Sequence, residues 1–309
     1  MTVFRSAEAF ERNFGLISRD EQKRLGGALV SIAGCGGVGG LHAHALARVG
    51  IGRFRVTDPD TFSLPNINRQ IGATVHTLGE NKAVVTAQMI RSINPEASVE
   101  ITEPEIGRES ADAFVKGADL VVDGIDFFAV AARRALFAAA WRAGIPAVTA
   151  APLGFSSTLH VFAPGGMSFD EYFDLREDQK PLDQLVNFLA GLAPKALHVP
   201  YMDLGSVDTS SGRGPSSIIG TQLAASLVAA EAVRIILARG PSRLAPNYLQ
   251  IDAYRQCARK GFLRQGNRSW SQQVNRRLLK ERLCRLGWDR AFTDADENAI
   301  VQKEGPNPA

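Results

Sequence analysis

Short apolar runs alternate with stretches of helical periodicity through the first half of the chain. The spacing predicts strands at 28–33, 54–57, 99–101, 120–122 and 147–149, and helices at 41–49, 82–93, 110–115 and 127–141. Strands that alternate with helices in this way form a parallel sheet through right-handed crossovers. We therefore predict an α/β fold with a Rossmann-like, mostly parallel sheet and helices on both of its faces.

The pattern changes after residue 150. Residues 157–162 alternate as in an antiparallel strand, a very apolar helix starts at Pro215, and residues 249–253 predict a last strand. We therefore expect antiparallel strands to extend the parallel sheet. These changes divide the chain into an N-terminal helical segment (1–26), a Rossmann-like part (27–163), a loop-rich crossover and substrate-binding part of the same domain (164–254) and a basic C-terminal tail (255–309).

Both ends of the chain carry local helix signals. Residues 8–26 predict a polar helical segment, in which Ser18 and Glu21 have the spacing of a capping box. The tail contains a helical run at 272–286 that is basic and has an apolar stripe. We interpret this run as a helix docked on the fold, with contact to a membrane surface or to RNA as the alternative.

The composition is that of an ordinary soluble enzyme. The chain has 309 residues, 45% of them hydrophobic and 22% charged, which is enough for a substantial core. A net charge of +3 gives no argument for nucleic acid unless the charge is clustered. The longest apolar stretch is interrupted by Gln222, Glu231 and Arg234, and the first residues do not resemble a signal peptide. We therefore expect a cytoplasmic protein without a membrane span.

The glycine loop, GCGGVGG at residues 34–40, follows the first predicted strand and opens a helix. Gly34, Gly36 and Gly39 satisfy G-x-G-x-x-G, and Asp58 follows at the distance where such units place an acidic residue. This context predicts phosphate binding at a helix N-terminus, with the acid on a ribose. The motif does not identify the nucleotide.

The segment TDPDTFSLPNINRQ, residues 57–70, carries more polar groups than hydride transfer requires. Attack on the α-phosphate of ATP needs polar donors, an arginine, a lysine and a carboxylate for magnesium. Asn66 and Arg69 lie in this segment, and Lys82 opens the next predicted helix. Asp126 follows the strand LVVD, at the sheet edge where ligands bind in open α/β folds. Together these residues predict nucleotidyl transfer.

The order GCGGVGG, DPD, NINRQ, GENKA and DGID resembles the ThiF/HesA/MoeB-type adenylyltransferases, relatives of ubiquitin-activating enzymes. The resemblance implies that Asp58 holds the ribose, that Asn66, Arg69 and Lys82 hold the phosphates, and that Asp126 holds Mg²⁺. The full set that it assigns to ATP is Gly34, Gly36, Gly37, Gly39, Asp58, Asp60, Asn66, Arg69, Gln70 and Lys82.

The resemblance also implies partners and a reaction. Such enzymes are typically homodimers in which an N-terminal arginine reaches the partner's site, and Arg12 is the match here. With Arg69, Lys82 and Asp126 it completes the expected catalytic set. The family activates a C-terminal carboxylate, often that of a small ubiquitin-like protein, as an acyl-adenylate.

The cysteines depart from the family pattern. Many members bind zinc through two CxxC pairs, and this chain has only Cys35, Cys257 and Cys284, so we expect no zinc and no disulfide framework. No cysteine lies between Ala150 and Gln256. Transfer of the acyl group to a thiol of the crossover loop is therefore excluded, because serine is far less nucleophilic without an activating base.

Alternatives stay open for the substrate and for the reaction class. Within the fold, the carboxylate is that of a small molecule or is attached to tRNA, as in relatives that cyclise a modified tRNA nucleoside; the basic tail favours tRNA. The glycine loop and Asp58 alone are also compatible with an NAD(P)-dependent oxidoreductase. A non-catalytic scaffold is the third alternative. Arg213, before the apolar helix, is a further candidate contact for a carboxylate or phosphate.

Overall fold

A mixed sheet of nine strands runs through the part of the chain that the computed structural model describes, residues 4–103, 105–203 and 214–289. The strands lie in the order β3-β2-β1-β4-β5-β7-β8-β9, with β6 paired to β7. They are β1 (Leu29–Ala33), β2 (Arg53–Thr57), β3 (Ser98–Ile101), β4 (Leu120–Asp123), β5 (Ala147–Thr149), β6 (Pro152–Leu153), β7 (Ser156–Phe162), β8 (Asn247–Asp252) and β9 (Cys257–Phe262).

The first five strands are parallel, and the antiparallel strands begin with β7. The helices among the described residues are α1 (Ser6–Ala9), α2 (Arg19–Gly27), α3 (Gly39–Val49), α4 (Lys82–Ile93), α5 (Ala111–Val115), α6 (Val130–Arg142), α7 (Phe169–Phe173), α8 (Pro181–Leu192), α9 (Ile218–Ile236) and α10 (Trp270–Arg285). The predicted fold class is confirmed.

Two hydrophobic clusters cover the two faces of the sheet. Successive side chains of a strand point to opposite faces, so Val30 and Ile32 of β1 pack with α3, α4 and α9, while Leu29 and Ala33 pack with α5, α6, α7, α8 and α10. The central parallel strands β1, β4 and β5 are buried on both sides, as expected for a sheet between helix layers. All parallel strands therefore end at one edge, called here the carboxyl edge.

Two stretches differ from the sequence prediction. The N-terminal segment is not one helix, because the chain turns at Gly15, which has a φ of +103°, before the Ser18 capping box starts α2. Residues 164–214 are not simply loop, since they contain α7 and α8. The apolar residues of α8 do recur at helical spacing, and Pro181 occupies its first turn, so the sequence carried a signal that the loop assignment missed.

Helix α9 is long and apolar enough to cross a membrane by length and composition alone. Its small buried residues Ala224, Ala229 and Ala232 belong to the cluster that α9 forms with α3 and the sheet. A helix that packs against protein on more than one side is expected to be this apolar. Packing within the fold accounts for this buried face, and 39% of the candidate span is buried.

The C-terminal tail adds two elements to the fold. Strand β9 pairs with β8 along its whole length, and α10 packs on α8. Gln272 Nε2 donates to the Ala190 carbonyl at 2.9 Å, and Arg276 forms an ion pair of 2.8 Å with Asp174. Leu283, 2% exposed, reaches the core below the helix. Helix α10 is thus docked on the fold, as its pattern predicts, whereas strand β9, with its central Arg-Lys-Gly, was missed.

Candidate functional site

The glycine loop connects the carboxyl end of β1 to α3 and lies against the loop that follows β4. Gly34 has a φ of +88°, and a Cβ there would lie 2.2 Å from the Gly124 carbonyl oxygen. A Cβ at Gly39 would lie 1.8 Å from the Gly34 carbonyl oxygen. Both distances are far below van der Waals contact. These two positions therefore require glycine for reasons internal to the chain.

Gly36 and Gly37 are under no such constraint. A Cβ at Gly36 would meet the Gln70 amide at 3.7 Å, and one at Gly37 would meet Thr221 at 3.6 Å, which are ordinary contacts. Both residues precede α3, whose first backbone N–H groups have no acceptor within the helix. Without side chains, this backbone is open to the close approach that phosphate binding at a helix N-terminus requires.

Gln70 faces this loop from the segment after β2. It is 7% exposed, and its Oε1 has no hydrogen-bond partner in the described part of the chain. A buried polar atom without a partner costs about 1–3 kcal/mol. A ligand that hydrogen-bonds to this amide would remove that cost, so Gln70 fits the nucleotide-contacting position predicted for it.

Asp58 ties the glycine loop to β2. Its Oδ2 accepts a hydrogen bond from the Cys35 N–H at 2.6 Å, and its Oδ1 accepts one from the Asp60 N–H at 2.9 Å. Burial raises the pKa of Asp58, while the Lys82 ammonium and these two N–H groups act in the opposite direction. Each carboxylate oxygen keeps a further lone pair. The group is therefore able to accept hydrogen bonds from ribose hydroxyls.

Lys82 is the first residue of α4, directly after the N-cap Asn81. Its Nζ lies 2.5 Å from Asp60 Oδ2, and its side chain is 9% exposed. A cation at a helix N-terminus is disfavoured by the helix dipole, which the Asp60 carboxylate offsets. The ammonium has three protons, so the ion pair leaves Lys82 able to donate to a second acceptor such as a phosphate.

Arg69 and Asn66 are partly engaged in the structure of their own segment. Asn66 Oδ1 accepts from the Ser63 N–H at 3.0 Å, and Arg69 Nη1 donates to Asn68 Oδ1 at 2.9 Å. The aliphatic part of Arg69 would lie 3.9 Å from a Cβ at Gly37. Arg69 is thus beside the glycine loop, whereas Asn66 uses its oxygen for a local cap.

The Asp126 loop, residues 124–128, is fixed by a buried ion pair that the sequence did not reveal. Arg133 Nε donates to Asp123 Oδ2 at 2.7 Å, and the two side chains are 4% and 2% exposed. Arg133 Nη2 also donates to the carbonyls of Ile125 at 2.7 Å and Asp126 at 3.1 Å. An arginine in an alanine-rich helix looks like a surface residue, and only the folded loop brings it to Asp123.

Asp126 itself is exposed at the carboxyl edge. Its Oδ1 accepts from the Phe128 N–H at 3.0 Å, and Gly124, two residues earlier, touches the glycine loop. Among the described residues, no group of three or more His, Cys, Asp or Glu is arranged to hold a metal ion. One carboxylate suffices for Mg²⁺ when phosphates and waters supply the other ligands. Asp126 therefore fits the magnesium role, and the residues here offer no zinc cage.

Arg12 lies at the other edge of the sheet. It is exposed in the short turn Glu11–Asn13, and Asn13 Nδ2 donates to the Val49 carbonyl at the C-terminal end of α3. Helix α3 starts at the glycine loop and spans roughly 15 Å. Arg12 is thus remote from the site of its own chain, so any role in that chemistry requires a second subunit.

The cysteine thiols add no nucleophile to this site in the described part of the chain. Cys35 is buried, and burial raises the pKa of its thiol, the opposite of what a nucleophile needs. Cys257 and Cys284 are partly exposed in β9 and α10. Arg213 lies outside the described residues.

Comparison with known sequences identifies relatives that share part of this chain. The ThiF family model matches residues 10–268. The chain is 38% identical over 131 residues to the tRNA threonylcarbamoyladenosine dehydratase of Haemophilus influenzae. These aligned residues cover 41% of this chain and 50% of that protein. It is 32% identical over 148 residues to the sulfur carrier protein ThiS adenylyltransferase of Escherichia coli, with coverages of 48% and 58%. The chain thus spans little more than half the length of these relatives.

Solved structures show the same fold. The crystal structure of PaaA superposes with a TM-score of 0.64 at 20% identity and covers 85% of both chains. The E. coli tRNA N6-threonylcarbamoyladenosine dehydratase TcdA gives a TM-score of 0.57 at 24% identity, covering 75% of this chain and 95% of its own. E. coli MccB, crystallised with AMPCPP and MccA, gives 0.61 at 19% identity, covering 84% and 71%. At these identities the likeness concerns the fold alone.

Proposed function

Since the chain belongs to the ThiF family, we propose that it is an ATP-dependent adenylyltransferase that converts a carboxylate into an acyl-adenylate and releases pyrophosphate. The observation that carries the proposal is the clustering at the carboxyl edge. There the buried amide of Gln70 lies beside Gly36, and Asp58 accepts from the N–H groups of Cys35 and Asp60, the latter being the ion-pair partner of Lys82. This is the set of groups that a triphosphate requires.

Each residue of the cluster has a distinct part in this proposal. Asp58 accepts hydrogen bonds from the ribose, the N-terminus of α3 binds phosphate, and Arg69 and Lys82 stabilise charge that develops on the leaving pyrophosphate. Asp126 holds Mg²⁺, which when bound neutralises phosphate charge. The chain contributes position and electrostatics, while the substrate's own carboxylate is the nucleophile.

The acyl-adenylate has no internal acceptor in this proposal. The stretch from residue 150 to residue 256 contains no cysteine. The adenylate is therefore released or passed directly to a nucleophile of another molecule.

The substrate that we propose is the C-terminal carboxylate of a small ubiquitin-like protein or peptide. Its support is the chain's similarity to the ThiS adenylyltransferase reported above. A tRNA-attached carboxylate is the second candidate, and it is supported by the tRNA dehydratase relative and by the basic residues of α10. Some of those residues are already engaged, as in the Lys280–Asp183 pair at 2.5 Å. The relatives give no support to the NAD(P)-dependent alternative. Homodimerisation and a cytoplasmic location remain expectations.

Replacing Asp126 or Arg69 by alanine tests the proposed reaction. We expect either variant to abolish carboxylate-dependent ATP–pyrophosphate exchange. Arg69→Ala removes a cation that balances the triphosphate, and Asp126→Ala removes the carboxylate proposed to hold Mg²⁺. The fold should persist, since neither side chain belongs to the core, and circular dichroism checks this. Lys23→Ala, at an exposed site of α2, is the control and should exchange normally. Unchanged exchange in both site variants would refute the assignment.

The substrate class is decided by which carboxylate stimulates exchange. Peptides ending in a free Gly-Gly carboxylate and bulk tRNA are assayed in parallel with the wild-type protein. Stimulation by peptide supports the first candidate. Stimulation by tRNA that weakens steeply with added salt supports the second, because contacts to phosphates release counterions.

A further inference from the structure

The aromatic residues of the Asp126 loop connect it to the C-terminal tail. The rings of Phe127 and Phe128 pack edge to face with centroids 5.3 Å apart. Phe128 also lies against Trp288, with ring centroids 6.3 Å apart, and Trp288 is 6% exposed. The Phe128 N–H is the donor to Asp126 Oδ1. One contact therefore links a tail residue to the residue that orients the Asp126 carboxylate.

Helix α10 places Trp288 beside Phe128. The helix starts at Trp270, packs against α8, and ends three residues before Trp288. Leu283 and the Arg276–Asp174 pair hold it to the core on the way. Helix α10 and Trp288 lie beyond the stretch 10–268 that the ThiF family model matches, so the Phe128–Trp288 contact is an addition to the matched family region.

We propose that Trp288 is a positioning residue for Asp126, acting through Phe128. The inference rests on the proposed function, in which Asp126 holds Mg²⁺. Arg133 donates to the backbone carbonyls of Ile125 and Asp126, and Trp288 packs against the Phe128 ring. With the ring held, the Phe128 N–H and hence the carboxylate keep one orientation.

A tryptophan that only fills the core and one that positions Asp126 differ in what their removal changes. A core-filling tryptophan changes the melting temperature when it is removed, but it leaves the Mg²⁺ dependence of the remaining folded enzyme unchanged. A positioning residue changes that dependence, because the carboxylate then samples orientations that cannot bind the ion. The decisive readouts are therefore the Mg²⁺ dependence of exchange, kcat, and the Mg²⁺ affinity measured by calorimetry on the ATP-saturated protein without carboxylate substrate, all well below each variant's melting temperature.

The experiment uses the full-length chain with Trp288→Ala, Trp288→Phe and the matched control Trp270→Ala. Trp270 stands at the other end of the same helix and is 79% exposed. We expect Trp288→Ala to raise the Mg²⁺ concentration for half-maximal ATP–pyrophosphate exchange about tenfold or more and to lower kcat. Trp288→Phe should restore most of both, and Trp270→Ala should behave as the wild type.

Several outcomes would overturn the inference. A Trp288→Ala protein with the wild-type Mg²⁺ dependence and kcat would leave Trp288 a structural residue only. If that variant does not fold, Phe128→Leu and Trp288→Leu replace it, and their effects on Mg²⁺ dependence should not add, because both act through one contact. Additive or absent effects would contradict the proposal. A wild-type protein without exchange for any carboxylate would instead refute the proposed function itself.

Discussion

Single residues of the glycine loop serve two separate purposes. Gly34 and Gly39 are needed because the chain touches itself, whereas Gly36 and Gly37 leave room that the chain does not fill. The sequence motif treats Gly34, Gly36 and Gly39 alike and leaves Gly37 as a variable position. Only the structure separates the glycines that hold the fold from those available to a ligand.

Alanine should therefore lower stability at Gly34 and weaken ATP binding at Gly37. We expect Gly34→Ala to destabilise the protein by about 3 kcal/mol or more, because its Cβ would overlap a backbone carbonyl. Gly37→Ala should keep stability within about 1 kcal/mol and raise the KM for ATP about tenfold, since its methyl group occupies space proposed for phosphate. Urea unfolding and ATP titration of the exchange reaction measure the two quantities. A stable Gly34→Ala protein would contradict the first expectation.

A buried histidine gives the protein a predictable acid sensitivity. His42 is fully buried, neither ring nitrogen has a partner among the described residues, and burial lowers its pKa from 6.5 to about 3. Below pH 6.5 the His42 imidazole becomes protonated in the unfolded chain but stays neutral in the native state. The free energy of unfolding therefore falls as the pH drops from 6.5 toward 3.

Replacing His42 by leucine should remove this contribution to the pH dependence of stability. We expect the loss in free energy of unfolding between pH 7 and pH 5 to shrink by about 2 kcal/mol. Urea unfolding at the two pH values measures it. His76→Leu, at an exposed loop position, is the control and should leave the loss unchanged. An equal effect of the two substitutions would argue against a neutral buried His42.

Residue types and their order led to the nucleotide-binding set, which stays a prediction, but they did not indicate the ion pairs within it. The acids and donors could be assigned because each follows a predicted strand at the same sheet edge. The Lys82–Asp60 and Arg133–Asp123 pairs could not, because an ion pair depends on side-chain distance and burial. Asp58 likewise proved to hold the glycine loop as well as being available to a ribose.

At the scale of elements, prediction succeeded where local signals were strong. Helix α4 runs over Lys82–Ile93 as predicted, because Asn81 caps its start and the Asn94-Pro95 step ends it. Helix α8 was missed although its periodicity is clear, since the surrounding segment is rich in loop residues. Strand β9 was missed because pairing with β8, rather than its own composition, determines its conformation.

Asn81 joins α4 to the acidic segment after β2 and makes this junction testable. Its Oδ1 accepts from the Val84 N–H at 3.1 Å, and its Nδ2 donates to the Asp58 carbonyl at 3.0 Å. We expect Asn81→Ala to cost about 1–2 kcal/mol of stability and to weaken ATP binding by displacing Lys82. Asn81→Asp keeps the cap and loses the donor, so it should recover stability more than ATP affinity. Urea unfolding and calorimetry with ATP measure both.

At the scale of the whole molecule, Arg12 and the site lie at opposite edges of the sheet. This arrangement suits a dimer in which each subunit completes the other's site. Mixing Arg12→Ala with Asp126→Ala protein should then restore about a quarter of wild-type exchange, because half of the randomly formed dimers carry one intact site.

Two measurements would contradict this arrangement. The two variants are first incubated together so that their subunits can exchange, and sedimentation then measures whether the protein is a dimer. A monomer, or a dimeric mixture without recovered exchange, would mean that Arg12 does not act across subunits. Full exchange by Arg12→Ala alone would remove it from the catalytic set.

The contact of Gly34 and Gly39 with Gly124 also limits how this protein can be redesigned. The two loops interlock through their backbones, so neither can be transplanted from a relative by itself. A chimera with an exchanged glycine loop should fold only if the segment after β4 comes from the same donor. The glycine loop and the Asp126 loop would accordingly have to be engineered, or inherited, as one module.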